Sequence, residues 1–440
     1  MNTDIIEMKR RHFIKKTGIA ALGAFAVPYL LPSGRLFAAT GTRKANHVVF
    51  CLFAGGVRNF ETVQKAEGNL MRYTLAGTEP VSADIAGSMT SLPAPTDLSL
   101  QNYGTFFKEF RYAQGPTGHF NGHTTAITGV YTTNDLNIKM SPQYPTIFEY
   151  YRKHNSPNNS ALNAWWISNS LGPYPALSYS NYSGYGAQYG ANYIQPALLI
   201  NQSGCDLLGN LRVFTNDQKD RIGEMKILLD NNFQKNYIGD VGIANPQNDA
   251  IALESFIQTS VNEAIDGFYS NPWGIGAGAM NSDMYNLFFT EKIIQQFKPE
   301  LVVVNMQDVD IAHSNFTQYC NNMRKADYAL AHLWNTIQST PGMANDTILI
   351  AVPEHGRNLT PNTLLDANGR YALDHTGDPT SREIFCLVLG PPSVVQQNQV
   401  ISSVSGQSID IVPTIANILG FDTDIPDGML SGQVLNQAFV

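Results

Sequence analysis

Thr347 to Arg357 reads TILIAVPEHGR. Five consecutive apolar residues, Ile348, Leu349, Ile350, Ala351 and Val352, show no polar alternation, so they predict a strand buried on both faces of a sheet. The run ends in Pro353-Glu354-His355-Gly356, which sets a carboxylate and an imidazole side by side where the strand stops. In an open α/β sheet that end borders the crevice where ligands bind. Taken alone, the stretch is a strand followed by a polar turn.

Around it the last third of the chain alternates between two periods. Leu287, Phe288, Ile293, Ile294 and Phe297 fall on one helical face, followed by a strand from Leu301 to Met306 and the polar segment Gln307 to His313. Tyr319, Met323, Ala326, Leu330, Leu333 and Ile337 mark the next helix. After TILIAVP come a loop holding Asp374-His375, a strand from Ile384 to Leu389 and a helix from Val412 to Leu419. Such alternation predicts an α/β fold, a mainly parallel sheet covered by helices on both faces. The first strand of that sheet is His47 to Phe53, HVVFCLF, and it runs into Ala54-Gly55-Gly56, where glycines permit a tight turn and close backbone approach.

Between these parts, residues 64–100 read as irregular. Gly115 to Tyr131 is a glycine-rich loop opening a short helix closed by Gly129; it carries His119 and His123. Free N–H groups at a helix start favour an anion. Residues 155–203 are rich in Asn, Ser, Tyr and Gly with almost no charge, and 155–283 is expected to be an inserted cap within a 45–440 domain. Amphipathic helices are expected from Ile222 to Phe233 and from Leu253 to Ala264.

The N-terminus has its own logic. Lys9-Arg10-Arg11-His12-Phe13-Ile14-Lys15-Lys16 precedes an apolar run, Gly18 to Leu31, and the small residues Ala38-Ala39. Paired arginines before Phe-Ile-Lys form a twin-arginine export signal over residues 1–39, too short in its apolar part for a comfortable membrane span. An uncleaved anchor is the other reading, because Phe37 fits poorly before a cut after Ala39. The expectation is a periplasmic or otherwise exported protein that meets the twin-arginine translocase in transit. Beyond residue 39 the chain keeps 22 basic and 34 acidic residues, a net charge of −12. Nucleic acid is not an expected partner. Cys51 and Cys386 lie in apolar runs and read as buried thiols, and a Cys205–Cys320 disulfide is one option in an oxidising compartment.

Three histidines carry a carboxylate neighbour just past a strand end or in a late loop: Asp310 with His313, Glu354 with His355, and Asp374 with His375. Carboxylate and imidazole together suit divalent metal ions, zinc first, with manganese, iron or calcium as alternatives.

With these pieces in order, the chain resembles the alkaline phosphatase and sulfatase superfamily, and most of all its functionally undefined twin-arginine-exported branch, which shares Gly-Gly after the first strand and His-Phe near the nucleophile position. LVVVNMQDVDIAH is similar to the family's strand ending in Asp with a nearby His, and TILIAVPEHG to its strand ending in Asp-His-Gly. His375 matches its late His, Thr128-Gly129-Val130-Tyr131 the end of its nucleophile helix, and Asp410 to Gly432 its closing helix and turn. The resemblance implies a three-layer α/β/α fold and chemistry on phosphate or related esters. It also exposes departures. The Asp that ends the family's first strand appears here as Ala54, the hydroxyl nucleophile aligns with His119, and Glu354 replaces an Asp. Sulfatase activity of the usual kind is not expected, since no Cys or Ser followed by x-Pro-x-Arg stands at the nucleophile.

Two readings follow. In the first, Asp310, His313 and His375 hold one metal, and Glu354, His355 and His119 a second; His119 is the catalytic residue, replacing lost ligand and nucleophile or itself forming a phosphohistidine. Arg58, Asn59 and Arg357 would contact the oxygens of a small anionic ester. In the second, the scaffold is inactive and serves as an exported binding or assembly protein with the Tyr/Asn-rich region as contact surface.

Overall fold

The computed structural model describes residues 41–64, 69–89, 91–134, 141–156, 160–169, 177–200 and 247–440. The export signal, Cys205 and the helix expected from Ile222 to Phe233 lie outside the described residues. Among the described residues eight strands form one sheet: β1 His47–Phe53, β2 Gly104–Arg111, β3 Ala164–Ile167, β4 Asn192–Ile194, β5 Leu301–Met306, β6 Thr347–Pro353, β7 Glu383–Leu389 and β8 Gln399–Gln407. Their order is β4-β3-β5-β1-β6-β7-β2-β8. Parallel pairing joins β1 to β5 and β6, β3 to β4 and β5, and β2 to β8. Only β7 runs against its neighbours, β6 and β2. The reason is its connection: between β6 and β7 the chain runs through a long loop whose only helical part is the short turn Pro379–Arg382, and without a crossover helix a returning strand lies antiparallel.

Six helices of eight or more residues are present among the described residues: α1 His119–Thr128, α2 Ile147–His154, α3 Gln247–Ile265, α4 Ser282–Phe297, α5 Phe316–Ser339 and α6 Ile411–Leu419. Packing separates them into groups, α4 against α5 and α6 against α1 and α2. Every residue from Val48 to Phe53 is buried, as are all of β5 and β6, so helices cover both faces of a mainly parallel sheet. The three-layer α/β/α arrangement expected from the alternating pattern is therefore present.

Several elements lie beyond the sequence reading. Residues 72–75 and 83–86 form short helical turns inside the segment expected to be irregular. β8, QVISSVSGQ, is a polar edge strand without an apolar signal. Within the 155–283 range expected to be an inserted cap, Ala164–Ile167 and Asn192–Ile194 are buried strands that extend the sheet beyond β5. Four and three residues are too few for a periodic signal, yet they bury Trp165, Trp166 and Tyr193. The Tyr/Ser-rich segment is tied down as well, since the Glu149 carboxylate on α2 accepts from Ser180 N at 3.0 Å, Ser180 Oγ at 2.8 Å and Gly186 N at 2.6 Å. Cys51, Cys320 and Cys386 are buried free thiols.

Register places the site. Phe53 stands level with Met306 on one side and Pro353 on the other, so β1, β5 and β6 end together at one edge of the sheet.

Candidate metal centre

Four segments meet beyond those strand ends. The turn after β1 contributes Gly55 and Gly56; the 3₁₀ turn Asp308–His313 after β5 contributes Asp310 and His313; Glu354 and His355 follow β6 directly; and Asp374-His375 comes from the late loop. His119 enters from the first position of α1, whose C-terminus is closed by Gly129 in the left-handed conformation. All six of the residues expected to form a metal site come together here.

His119 lies between the carboxylates. Its Nε2 is 2.9 Å from Asp310 Oδ1 and its Nδ1 is 2.7 Å from Glu354 Oε1. Two donor sets result, His119–Asp310–His313–His375 and His119–Glu354–His355, and within each the ligand atoms lie within 4.8 Å of one another. Ligands bound at about 2.0–2.2 Å from a common cation have this order of spacing.

The donor chemistry fits such a cation. His355 Nδ1 faces its neighbour's carbonyl, Gly356 O, at 2.8 Å, so that nitrogen carries the proton and donates it. Its Nε2 lone pair is left toward His119 Nδ1 at 3.3 Å and Glu354 Oε1 at 3.2 Å. His313 is held the same way, Nδ1 to Asp374 Oδ1 at 2.7 Å and Nε2 toward Asp310 Oδ1 at 3.4 Å. His375 is buried and its Nδ1 has no partner. A buried imidazole nitrogen without a partner is costly unless something is bound to it. Asp374→Asn, which weakens the anchor on His313, is expected to lower metal affinity by about 10–100-fold, measured by competition with a chelating dye.

Charge is distributed unevenly. Burial alone would push the His119 imidazole down, but the Glu354 and Asp310 carboxylates on either side outweigh it and raise it to about 10. Burial likewise opposes ionisation of Asp310 and Glu354. The hydrogen bond from His119, with the His119 and Arg357 charges, holds Asp310 well below the usual carboxylate range, and the surrounding imidazoles do the same for Glu354. His375, buried beside His355 and His119, is pushed down to about 2. Without metal, His119 therefore acts as a positively charged brace between two carboxylates. Its contribution to stability is complete below its ordinary 6.5 and is lost as the pH rises through about 10. His375 acts on the other side, since protons taken up by the unfolded chain below 6.5 favour unfolding. Chelator-treated protein is expected to lose thermal stability between pH 6.5 and about 10. His119→Gln should flatten that slope in melting curves; an unchanged slope would rule the brace out.

The glycine turn makes the approach close. Gly56 has φ +76°, and a Cβ there would run into the His355 ring. Gly55 N donates to Glu354 Oε1 at 2.5 Å, and Gly55 O and Gly56 O accept from Arg357. Arg357 is buried, also donating to Leu373 O at 2.9 Å and Asp310 Oδ1 at 2.9 Å. Arg58 pairs with Glu61 and donates to Leu359 O at 3.0 Å. Both guanidiniums are thus engaged by the protein's own acceptors, and Asn59 is buried. Sequence reasoning did not single out two contributors. His123, one turn after His119, is buried against Glu354 and places Nε2 2.8 Å from Asn305 Oδ1; its i+4 spacing from His119 on a helix was the available signal. Asp374, noted only as a neighbour of His375, turns out to orient His313.

No family model matches the chain, and no curated relative does. Among solved structures it is similar to a protein in the alkaline phosphatase superfamily from Vibrio parahaemolyticus, with 12% identity over 94% of this chain and 75% of that one and a TM-score of 0.43. It is also similar to the wild-type alkaline phosphatase PafA, with 9% identity over 91% and 99% and a TM-score of 0.47. A third likeness is to the phosphonate monoester hydrolase SpPMH from Silicibacter pomeroyi, with 13% identity over 89% and 76% and a TM-score of 0.43.

Proposed function

We propose that this chain is an exported, metal-dependent hydrolase of phosphate or related esters, with histidine where the alkaline phosphatase-like pattern has a hydroxyl nucleophile. One observation carries the reading: His119 reaches both donor sets through opposite ring nitrogens. Asp310, His313 and His375 would hold one divalent cation and Glu354 and His355 the other, with His119 shared once it has given up both ring protons. Zinc is the first choice on this donor set, with manganese, iron or calcium as alternatives. Bound there, a cation supplies Lewis acidity toward an ester oxygen. The chain's own groups do the positioning. Asp374 and Gly356 O fix the imidazoles of His313 and His355, Arg357 offsets the charge of Asp310, and the Gly55 amide holds Glu354. With both nitrogens engaged, His119 suits a ligand and charge-positioning role better than that of a covalent nucleophile. Its place at the first position of α1 also turns the positive end of that helix toward an incoming anion.

The inactive binding-protein reading keeps one observation in its favour. Ala54, fully buried, brings no carboxylate to the end of β1. Elemental analysis of exported protein and turnover of aryl phosphate mono- and diesters separate the two. Metal-loaded protein that cleaves either ester supports the hydrolase. Metal-loaded protein that cleaves neither supports the binding protein, and failure to take up any of the four metals removes the metal-dependent reading.

A further inference from the structure

A cavity of about 640 Å³ opens beside Asp310, between the start of α4, the end of β5 and the first turns of α5. Its size is in the range of small-molecule sites. Amide side chains are prominent in the wall, among them Asn281, Asn286, Gln318 and Asn322, with Asn281 Nδ2 donating to Asn322 Oδ1 at 3.3 Å, and Asp283, Asp308 and Asp310 add carboxylates. No Lys, Arg, His or aromatic ring lines it among the described residues, and Ile311 is the one large apolar contributor. An anionic group would find no cation there, and a nucleobase or acyl chain no surface to stack on. Amides and carboxylates side by side offer donors and acceptors at short spacing, which is what hydroxyl groups need.

The wall is built rather than incidental. Asp283, 1% exposed, accepts from Gln307 N at 2.6 Å and Asp308 N at 3.0 Å, while Asp308 accepts from Asp283 N at 3.1 Å; this reciprocal pair locks the start of α4 to the end of β5. Gln318 Nε2 donates to Asn322 Oδ1 at 2.7 Å, and Asn322 Nδ2 to Asp308 O at 2.6 Å. Asn286, 2% exposed, donates through Nδ2 to Asn305 O at 2.6 Å. Its Oδ1 is left buried and without a partner. A buried acceptor without a partner is costly, and Asn286 belongs to the cavity wall. Burial raises the carboxyls of both Asp283 and Asp308, and Asp308 raises Asp283 further, with the Lys325 charge a partial offset on Asp308 alone.

We propose that this cavity is the subsite for a neutral, polyhydroxylated alcohol portion of the ester, a sugar or glycerol unit, placed so that its ester oxygens face Asp310 and the metal centre. The assignment rests on the hydrolase reading for its link to turnover, but not for binding itself. Methyl glucoside and glycerol serve as neutral probes in saturation-transfer NMR on the full chain, with choline as the cationic competitor. Methyl glucoside is expected to bind, glycerol more weakly, and choline not to displace either. Gln318→Leu, at a half-buried wall position, should weaken binding by about tenfold, the effect of one lost hydrogen bond at the upper end of its usual range. Asn286→Leu should do the same, and thermal melts of both variants check that the fold is retained. In turnover, the same variants should raise KM for a hexose phosphate and leave an aryl phosphate unaffected. Sugar binding without any phosphate turnover would retain the subsite while removing the hydrolase. A protein that cleaves aryl phosphate but binds neither polyol, binds choline in their place, or is indifferent to Gln318→Leu and Asn286→Leu overturns the subsite alone.

Discussion

His119→Ala is expected to lower kcat/KM on aryl phosphates by roughly 10²–10⁴-fold, the range for a positioned side chain at a reacting centre. The size follows from its double engagement. Removing the ring deletes a donor from both sets, Asp310 at 2.9 Å and Glu354 at 2.7 Å, and leaves Glu354 buried with less positive charge around it. Metal retention should fall together with the rate, and elemental analysis of the same preparation would show it. His119→Asn is the informative companion, because it keeps a polar group but cannot span both carboxylates. Full activity with full metal content in His119→Ala would dismiss His119 from the site. Lost activity with full metal content would instead return it to a direct chemical role.

Gly56→Ala is the second large effect, and it involves no titratable group. At φ +76° an L side chain is strained by about 1–2 kcal/mol before any contact is considered. Its Cβ would also occupy the space of the His355 imidazole, between backbone segments that cannot yield, with Gly356 O 2.9 Å away. A loss of about 2–4 kcal/mol in unfolding free energy is expected from strain and displacement together. Chemical denaturation measures it. The metal set containing His355 should be lost preferentially, while the set around His313, on the far side of His119, is retained. A variant as stable as the parent, with both sets filled, would mean that the turn does not hold His355.

Where physics is local, the sequence was informative. HVVFCLF, LVVVNM and TILIAVP became β1, β5 and β6 because an unbroken apolar run has few other ways to bury both of its faces. Gly55-Gly56 and the Gly129 stop were legible for the same reason, since backbone conformation is a local property. The six candidate donors were legible only because strand ends and histidines coincide. What escaped is what depends on the rest of the fold. β3 and β4 are too short to show a period, and only their neighbour β5 makes them strands. The fate of Arg357 could not be read from its position after Gly356, because its acceptors come from Gly55, Gly56, Leu373 and Asp310, far apart in sequence. The cavity wall is likewise a product of packing, since Asn286 and Gln318 lie on different helices.

The position of β1 has a consequence for how the chain is made. Val48 pairs with Leu301 on one side and with Ile348 on the other. The first of the described strands to leave the ribosome thus has no sheet neighbour until some 250 further residues have followed, and no complete set until about 300 have. At 5–20 residues per second that is roughly 13–50 s in which HVVFCLF, apolar but for His47, is an unpaired strand. An open edge of this kind is a template for pairing with other chains. The central strand of the finished sheet is therefore the segment of the nascent chain most in need of shielding, and the yield of this protein should depend on chaperone supply more than on the stability of the finished fold.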